Sequence, residues 1–450
     1  MTTVTARHRV RCYPTADQVR QLDIEFEASR VVYNLCIEMA RHAHSIGDKY
    51  PGVYGFHRAI PVWKKQTGWD CATLASNQCL QRAAANADTA FQHFFRRVKQ
   101  GGTPGFPKMK KAGRTEASAT YNIVHCRWNE AAGQLALSKQ NSPLRLNWDR
   151  RGIPLGSKSV TIIRDAAGRY FASFTCQREI QPHEPTGRVV GLDIGVAHAV
   201  TLSTGEHVDL PALLSPGRQR RFVHLCRKLA RQEKGSNSRE RTKLAIARLY
   251  ARITDGRQCW QDRVSRELVD GHDLIALEDL NLQGMTRAPA PKADEETGCY
   301  LPNNARAKAR LNAAMLNVGA GDLRRRIEYK AAWAGRQVVA VNPAYTSQEC
   351  PACGHVDSEN RKTQDKFSCV VCGHSDHADV NAARNILARA LAGGLMPAVG
   401  GGTAELMRVE GAMVAPVKSE SMFMQKESCG NAACGIRSDI STLSGRGSSA

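Results

Sequence analysis

The sequence contains no run of about 18 apolar residues, the length that argues for a membrane-spanning helix, so no span is expected. Its first residues, MTTVTARHRVRCYPT, have neither the apolar stretch nor the small-residue cleavage site of an export signal. A cytosolic protein is expected, nucleoid-associated in a prokaryote. No internal repeat divides the chain. Acid is scarce against base: 42 Asp and Glu face 63 Lys and Arg, a formal charge of +21. Such an excess suits a polyanion, because each phosphate contact releases condensed counterions. Nucleic acid is favoured, with an anionic membrane surface as the alternative.

What is present suits a multidomain protein. The 450 residues are 42% hydrophobic, enough for two to four cored domains. The 15 cysteines of a cytosolic chain point to metal sites or small buried hydrophobes rather than disulfides. Only four of them have informative spacing.

Residues 4–12 alternate as a strand, with Val4, His8, Val10 and Cys12 on one face and Arg7, Arg9 and Arg11 on the other. Helical spacing follows over 16–44 and over 72–98, where Phe91, Phe94 and Phe95 form an apolar stripe expected to be core. The basic Gly/Pro loop GGTPGFPKMKK, 101–111, marks a boundary. Alternation then predicts a small β-barrel or sandwich over 117–180. From 188 the order reads strand, strand, strand, helix, strand, helix, strand, helix. The basic helices over 217–270 are broken near GSNS, 235–238, and one helix is expected to run up to 334. Residues 393–450 lose periodicity and read as a mobile tail, with Cys429 and Cys434 outside metal spacing.

That order is RNase H-like, and in it the first and fourth strands are central neighbours. Asp193 in RVVGLDIG would then lie beside Glu278 in DLIALEDL, and Asp379 at the start of DVNAARNILARAL would point into the same cleft. Singly, each acid has an ordinary reading: a turn cap, a solvated strand end, a helix N-cap. Together they suit Mg²⁺ or Mn²⁺ in two-metal phosphodiester hydrolysis, since hard cations take oxygen ligands. Without metal, such a cluster should repel itself and be partly protonated. Asp279 should point to the opposite face of the strand, because strand side chains alternate.

Cys350-Pro-Ala-Cys353 and Cys369-Val-Val-Cys372 are C-x-x-C pairs separated by 15 residues, each followed by Gly-His. The spacing is that of a zinc ribbon, whose closed four-thiolate site is structural. His355, His374 and His377 are substitute ligands that a complete thiolate shell does not need.

GLDIGVAHAVTLSTG (191–205), ALEDLNLQGM (276–285), EYKAAWAGRQVV (328–339), TSQECPACGH (346–355) and DVNAARNILARAL (379–391) together resemble the TnpB family. RVRCYPTADQVRQLD, VVYN (31–34) and PGFPKMKK (104–111) extend the likeness over about residues 8–392. Departures sit mainly in 286–304 and beyond 393.

The resemblance implies an RNA-guided DNA endonuclease of a transposable element, ancestral to type V CRISPR effectors, a monomer acting on one guide RNA and duplex target DNA. It implies α/β and α+β architecture in five parts. These are a β-barrel wedge domain (1–12 and 103–185), an inserted helical recognition domain (13–102), an RNase H-like RuvC nuclease domain (186–345 and 378–392), a zinc ribbon (346–377) and the tail. The family's catalytic acids map onto Asp193, Glu278 and Asp379. On α-helical positions, Arg218, Arg220, Arg221, Arg227, Lys228 and Arg231 are candidates for the heteroduplex backbone. Tyr54, Asn77 and Gln81 are candidates for reading base edges beside the target. The alternatives are a compact type V CRISPR effector and a non-cleaving zinc-ribbon DNA-binding regulator.

Overall fold

A computed structural model describes residues 3–65, 70–113, 116–129, 131–147, 157–180, 182–294 and 299–393. The tail from 394 on, with Cys429 and Cys434, lies outside the described residues. Contacts divide the chain into two units: Thr2–Glu179 with Arg221–Leu249, and Ile180–Arg220 with Tyr250 onward. Among the described residues no helix is long and apolar enough to cross a membrane.

The first unit begins with β1 (Thr3–Tyr13), then α1 (Ala16–Ser45), α2 (Gly52–Lys64), α3 (Asp70–Leu74) and α4 (Asn77–Lys99). Six strands follow: β2 (Ala117–Asn122), β3 (Arg127–Asn129), β4 (Gln134–Ala136), β5 (Leu144–Leu146), β6 (Ser159–Arg164) and β7 (Tyr170–Glu179). Thr15 and Gln18 start α1 with a reciprocal capping box, which satisfies two otherwise orphaned N–H groups. The seven strands form one sheet in the order β2-β6-β7-β1-β5-β4-β3. Tyr121 on β2 and Leu135 on β4, near opposite ends of that order, share one core with Val10, Cys12, Phe174, Leu22 and Phe26. The sheet therefore curls around its apolar face.

The helices hold a second core of Val32, Cys36, Ile37, Phe56, Leu80 and Phe91. Of the expected stripe, Phe91 is buried and Phe94 packs at the core edge, while Phe95 is 39% exposed and lies against Tyr50. The single helix expected over 72–98 is instead α3 and α4. The Ser76 backbone N–H leaves the helical pattern to reach both oxygens of the buried Glu25 carboxylate, at 3.0 and 3.1 Å. The α2 helix was not legible, since its sequence carries Gly52, Gly55 and Pro61. Phe56 and Ile60, one turn apart, anchor it in the helical core.

The remaining elements are β8 (Val189–Asp193), β9 (Val200–Leu202), β10 (His207–Val208), α5 (Pro216–Arg231), α6 (Asn237–Gly271), β11 (Leu274–Glu278) and α7 (Leu282–Met285). After them come β12 (Lys292–Ala293), β13 (Tyr300–Leu301), α8 (Ala305–Val318), α9 (Ala320–Ala334), β14 (Gln337–Val341), β15 (Lys366–Ser368), β16 (Ser375–His377) and α10 (Ala378–Ala392). The one helix expected before 334 is split into α8 and α9 at Gly319, whose φ of +70° ends the first and opens the second.

The second unit is built on a five-stranded sheet in the order β10-β9-β8-β11-β14. Strands β10, β9 and β8 are antiparallel neighbours, while β8, β11 and β14 run parallel. The first and fourth strands are thus central neighbours. Val190, Leu192, Ile275 and Leu277 pack with Trp260, Val264 and Leu268 of α6 and with Leu323 and Ile327 of α9. Leu274, Ala276 and Val341 pack on the opposite face with Ile386 and Ala390 of α10. The unit is therefore a helix–sheet–helix sandwich.

Candidate active site and metal-ligand clusters

Strand alternation decides which acids meet. Gly191 shares a face of β8 with Asp193, and α10 crosses that face so closely that a Cβ on Gly191 would sit 2.1 Å from the Ala383 carbonyl oxygen. Glu278 shares a face of β11 with Leu274 and Ala276, which also pack under α10. Leu192 and Leu277 are paired in the parallel register, so Asp193 and Glu278 end adjacent strands side by side. Asp379 lies in the first turn of α10. The structure thus brings the three predicted acids, 85 to 186 positions apart, to one end of one sheet face. Asp279 faces away and pairs with Arg324 of α9 at 2.7 Å.

Electrostatics show the proximity. Burial, then the charges of Glu278 and Asp379, push the Asp193 carboxyl up to about 7, with Arg361 pulling the other way. Burial also raises Glu278, opposed by a hydrogen bond from Thr346 and by Arg389. Thr346 Oγ1 donates to Glu278 Oε1 at 2.5 Å, and Arg361 pairs with Asp379 at 2.8 Å. The sequence reading missed both residues, because each belongs to a segment with no periodicity pointing at the acids.

The loop that carries Thr346 is fastened by one face of α10. Asn381 and Asn385 donate to the Glu349 carbonyl, Asn385 also to that of Thr346, and Arg389 to those of Asn342 and Ala344. These bonds hold Tyr345 in the left-handed region, at φ 65°, a conformation that costs an aromatic residue energy and is kept only where its surroundings enforce it. At the other end of the parallel strands, Asp273 accepts from the backbone N–H groups of Thr186 and Gly187 and pairs with buried Arg336 at 2.5 Å. Burial opposes its charge, but those hydrogen bonds and Arg336 hold its carboxyl below the usual range.

The four predicted zinc ligands also come together: the Sγ atoms of Cys350, Cys353, Cys369 and Cys372 all lie within 4.8 Å of one another. Their two turns are near copies. The Cys350 N–H donates to the His355 carbonyl at 2.9 Å and the Cys369 N–H to that of His374 at 2.8 Å. Gly354 and Gly373 both have φ +73°, which explains a glycine after each second cysteine. The Cys372 backbone N–H helps draw the Cys369 thiol down to about 6. His377 does not join the cysteines. It groups with His198 and His207, a second cluster of possible ligands that the sequence reading did not see.

The nucleic-acid candidates occupy two surfaces. Arg218, Arg220, Arg221, Arg227, Lys228 and Arg231 are exposed on α5, which buries only Phe222. Tyr54, 77% exposed, lies on α2. Asn77 and Gln81 are exposed at the start of α4, where Lys64 of α2 donates to the Asn77 side chain and a His57 ring nitrogen meets the Gln81 carbonyl at 3.1 Å.

Three family patterns match the chain. Residues 321–386 match "Cas12f1-like, TNB domain", 173–288 match the OrfB_IS605 family described as "Probable transposase", and 1–49 match a "Helix-turn-helix domain" of the same proteins. Here the described part of that stretch forms β1 (Thr3–Tyr13) and the single long helix α1 (Ala16–Ser45). InsQ of Escherichia coli (strain K12), named as an RNA-guided DNA endonuclease, is 33% identical over 369 residues, covering 80% of this chain and 86% of InsQ. A similarly named protein of Streptomyces pristinaespiralis is 33% identical over 395 residues, 87% of this chain and 91% of that one. Among solved structures, Cas12f1 in its complex with sgRNA and target DNA aligns with a TM-score of 0.53 at 12% identity, over 85% of this chain and 98% of Cas12f1, a likeness of fold. With that identity to InsQ sustained over most of both chains, the protein belongs to the TnpB family.

Proposed function

We propose that this protein is an RNA-guided DNA endonuclease of a transposable element, whose RuvC-like site cuts target DNA with divalent metal. The observation that carries the reading is the coupled set of Asp193, Glu278 and Asp379, in which neighbouring charges help push Asp193 up to about 7. The donor set fits Mg²⁺ or Mn²⁺: the ligands are hard oxygens, and a bound cation offsets their mutual repulsion. Bound there, two such ions would supply Lewis-acid stabilisation of the attacking and leaving oxygens.

The chain's own residues set up that chemistry. Thr346 fixes the orientation of Glu278, and Arg361 pairs with Asp379. Cys350, Cys353, Cys369 and Cys372 hold a structural Zn²⁺ in the segment that carries Arg361. The exposed basic face of α5 holds the guide–target duplex through its phosphates. Tyr54, Asn77 and Gln81 read the bases beside the target. The domains follow the sequence reading: wedge 1–12 and 103–185, helical recognition 13–102, nuclease 186–345 and 378–392, zinc ribbon 346–377.

The test is cleavage of a plasmid library by protein co-purified with RNA from its own flanking DNA, in Mg²⁺, with the ends sequenced. Guide-dependent cuts are expected from the wild type and none from Asp193→Ala. A wild type without guide-dependent cuts, or an Asp193→Ala variant that cuts equally well, removes the proposal.

A further inference from the structure

Three imidazoles, two at the β9–β10 hairpin and one from the strand before α10, meet beside the carboxylate cluster. His198 follows β8, His207 starts β10, and His377 ends β16. A ligand nitrogen from each lies within 4.8 Å of the other two. The His198 and His207 rings stack at 4.0 Å between centroids, and His377 lies edge-on to His207 at 4.9 Å. Stacked aromatic rings alone would explain that packing, but not what holds the rings from behind. His198 Nδ1 lies 3.0 Å from Asp209 Oδ1, and His207 Nδ1 lies 3.1 Å from Thr201 Oγ1. A carboxylate can only accept, so His198 donates from Nδ1, and in the neutral ring Nε2 is then the nitrogen with a free lone pair. The Thr201 hydroxyl can either donate or accept, and by accepting from Nδ1 it plays the same part for His207. This is how metal-binding histidines are oriented: one ring nitrogen donates outward to a carboxylate or another acceptor, and the other faces the ion.

The geometry points to a third metal site, at which His198, His207 and His377 bind a borderline divalent transition-metal ion, with Asp209 as a positioning residue. The class of ion follows from the ligands. Neutral imidazole suits Zn²⁺ or Co²⁺ and not Mg²⁺, which prefers oxygen. Three imidazoles bring a Zn²⁺ ion to within one ligand of its usual four, leaving a position for water. Zn–N bonds of about 2.0–2.1 Å place tetrahedral ligand nitrogens about 3.3 Å apart, so small ring rotations close the cluster. His377 links the site to the active centre. Its Nδ1 now accepts from the Asp379 backbone N–H at 3.3 Å. Coordination requires that long bond to be given up, because the nitrogen opposite a metal-bound one carries a proton. The ion therefore competes with the N-terminal cap of α10, two residues from a catalytic acid. This site does not depend on the endonuclease reading, and its test does not read cleavage.

The test is metal stoichiometry of the full-length protein, freed of bound zinc under reducing conditions and titrated with Co²⁺ in excess Mg²⁺ so that the carboxylate site is held by the harder ion. Two equivalents are expected. The first carries thiolate-to-metal charge-transfer absorption from the cysteines, and the second shows only ligand-field bands. His207→Gln and His198→Gln should each lose the second equivalent and keep the first. Asp209→Asn should bind the second about 10–100-fold more weakly, as loss of an orienting partner does. Asp193→Ala should keep both. A wild type that saturates at one equivalent overturns the proposal. So does a second equivalent with thiolate absorption, or one that persists in His207→Gln or disappears in Asp193→Ala.

Discussion

The cysteine cluster and the carboxylate cluster belong to the same unit, yet they are assembled in opposite ways. The cysteine site is local. Two short turns, each with its Cys N–H bonded to a carbonyl five residues on and a glycine at φ +73°, present paired thiols within a span of 23 residues. The carboxylate site is made by topology. Asp193, Glu278 and Asp379 meet only if β8 pairs with β11, if the register sets Leu192 against Leu277, and if α10 packs on the correct face. A local site tolerates damage to the sheet, whereas a topological one does not. Substitutions that affect the two sites differently test that contrast.

The largest effect is expected at Asp193. Removing a metal ligand forfeits several kcal/mol of transition-state stabilisation, so Asp193→Asn should lower cleavage by about 10³-fold or more while zinc content is unchanged. The same variant should be more stable than wild type without divalent metal. The folded-state pKa of Asp193 is raised to about 7 from an ordinary 3.8, so between those values the native protein holds a proton that the unfolded chain has released. Stability therefore falls as pH rises from about 4 to 7, by a few kcal/mol on the order-of-magnitude scale of 1.36 kcal/mol per pH unit. Melting curves with chelator should show that decline in the wild type and a flatter profile in Asp193→Asn. Equal slopes in the two proteins would mean that neither burial nor the neighbouring acids raise the Asp193 carboxyl.

Asp273→Asn attacks the topology from the opposite end of the strands. It leaves Arg336, whose side chain is only 5% exposed, without its ionic partner. Breaking a buried pair in this way costs about 3–5 kcal/mol. Here the sign of the pH dependence reverses. The folded pKa of Asp273 is depressed, so its contribution is present above the ordinary carboxylate pKa and is lost as pH falls through the lower folded value. The variant should unfold at a lower denaturant concentration at pH 7, with the gap to wild type closing in acid. Cleavage should fall with the folded fraction while the cysteines still bind zinc. Loss of zinc in step with the sheet would show that the ribbon is not the independent element its turns suggest.

What was legible in the sequence follows the same division. Spacing alone marked the four cysteines, because everything they need lies within the two turns. The acids were legible only through the order of the strands, and Asp279 could be set apart from Glu278 because alternation is a rule of every strand. Thr346, Arg361 and the three histidines were not legible. Each acts across a fold contact, Thr346 on Glu278 from 68 positions away, and no periodicity records such a contact. The break before α4 was hidden for the same reason: Glu25, 51 positions upstream, captures the Ser76 N–H.

On the local side, Gly354→Ala should matter less. A side chain at φ +73° costs about 1–2 kcal/mol. The expected outcome is zinc affinity weakened by about 10-fold in competition with a chelator, with melting of the sheet unchanged. Wild-type affinity in this variant would mean that the turn adjusts freely, and that the glycine is not what shapes it.

The smallest effect is the one that joins the two modes of assembly. Thr346→Val keeps the shape of the side chain and removes the hydroxyl that donates to Glu278. One such hydrogen bond to a charged group contributes about 1.5–3 kcal/mol when its loss leaves the acceptor unpaired, but this end of the sheet can admit water, so the lower end applies and about 10-fold in cleavage is expected. Glu278 is already raised by burial, with the Thr346 hydroxyl opposing that rise. Without it, the acidic limb of the cleavage–pH profile should move to higher pH. A slower enzyme with an unmoved limb would mean that Thr346 supports only the loop fastened by α10. A moved limb would mean that a non-periodic loop residue tunes an acid whose position the sheet alone determines.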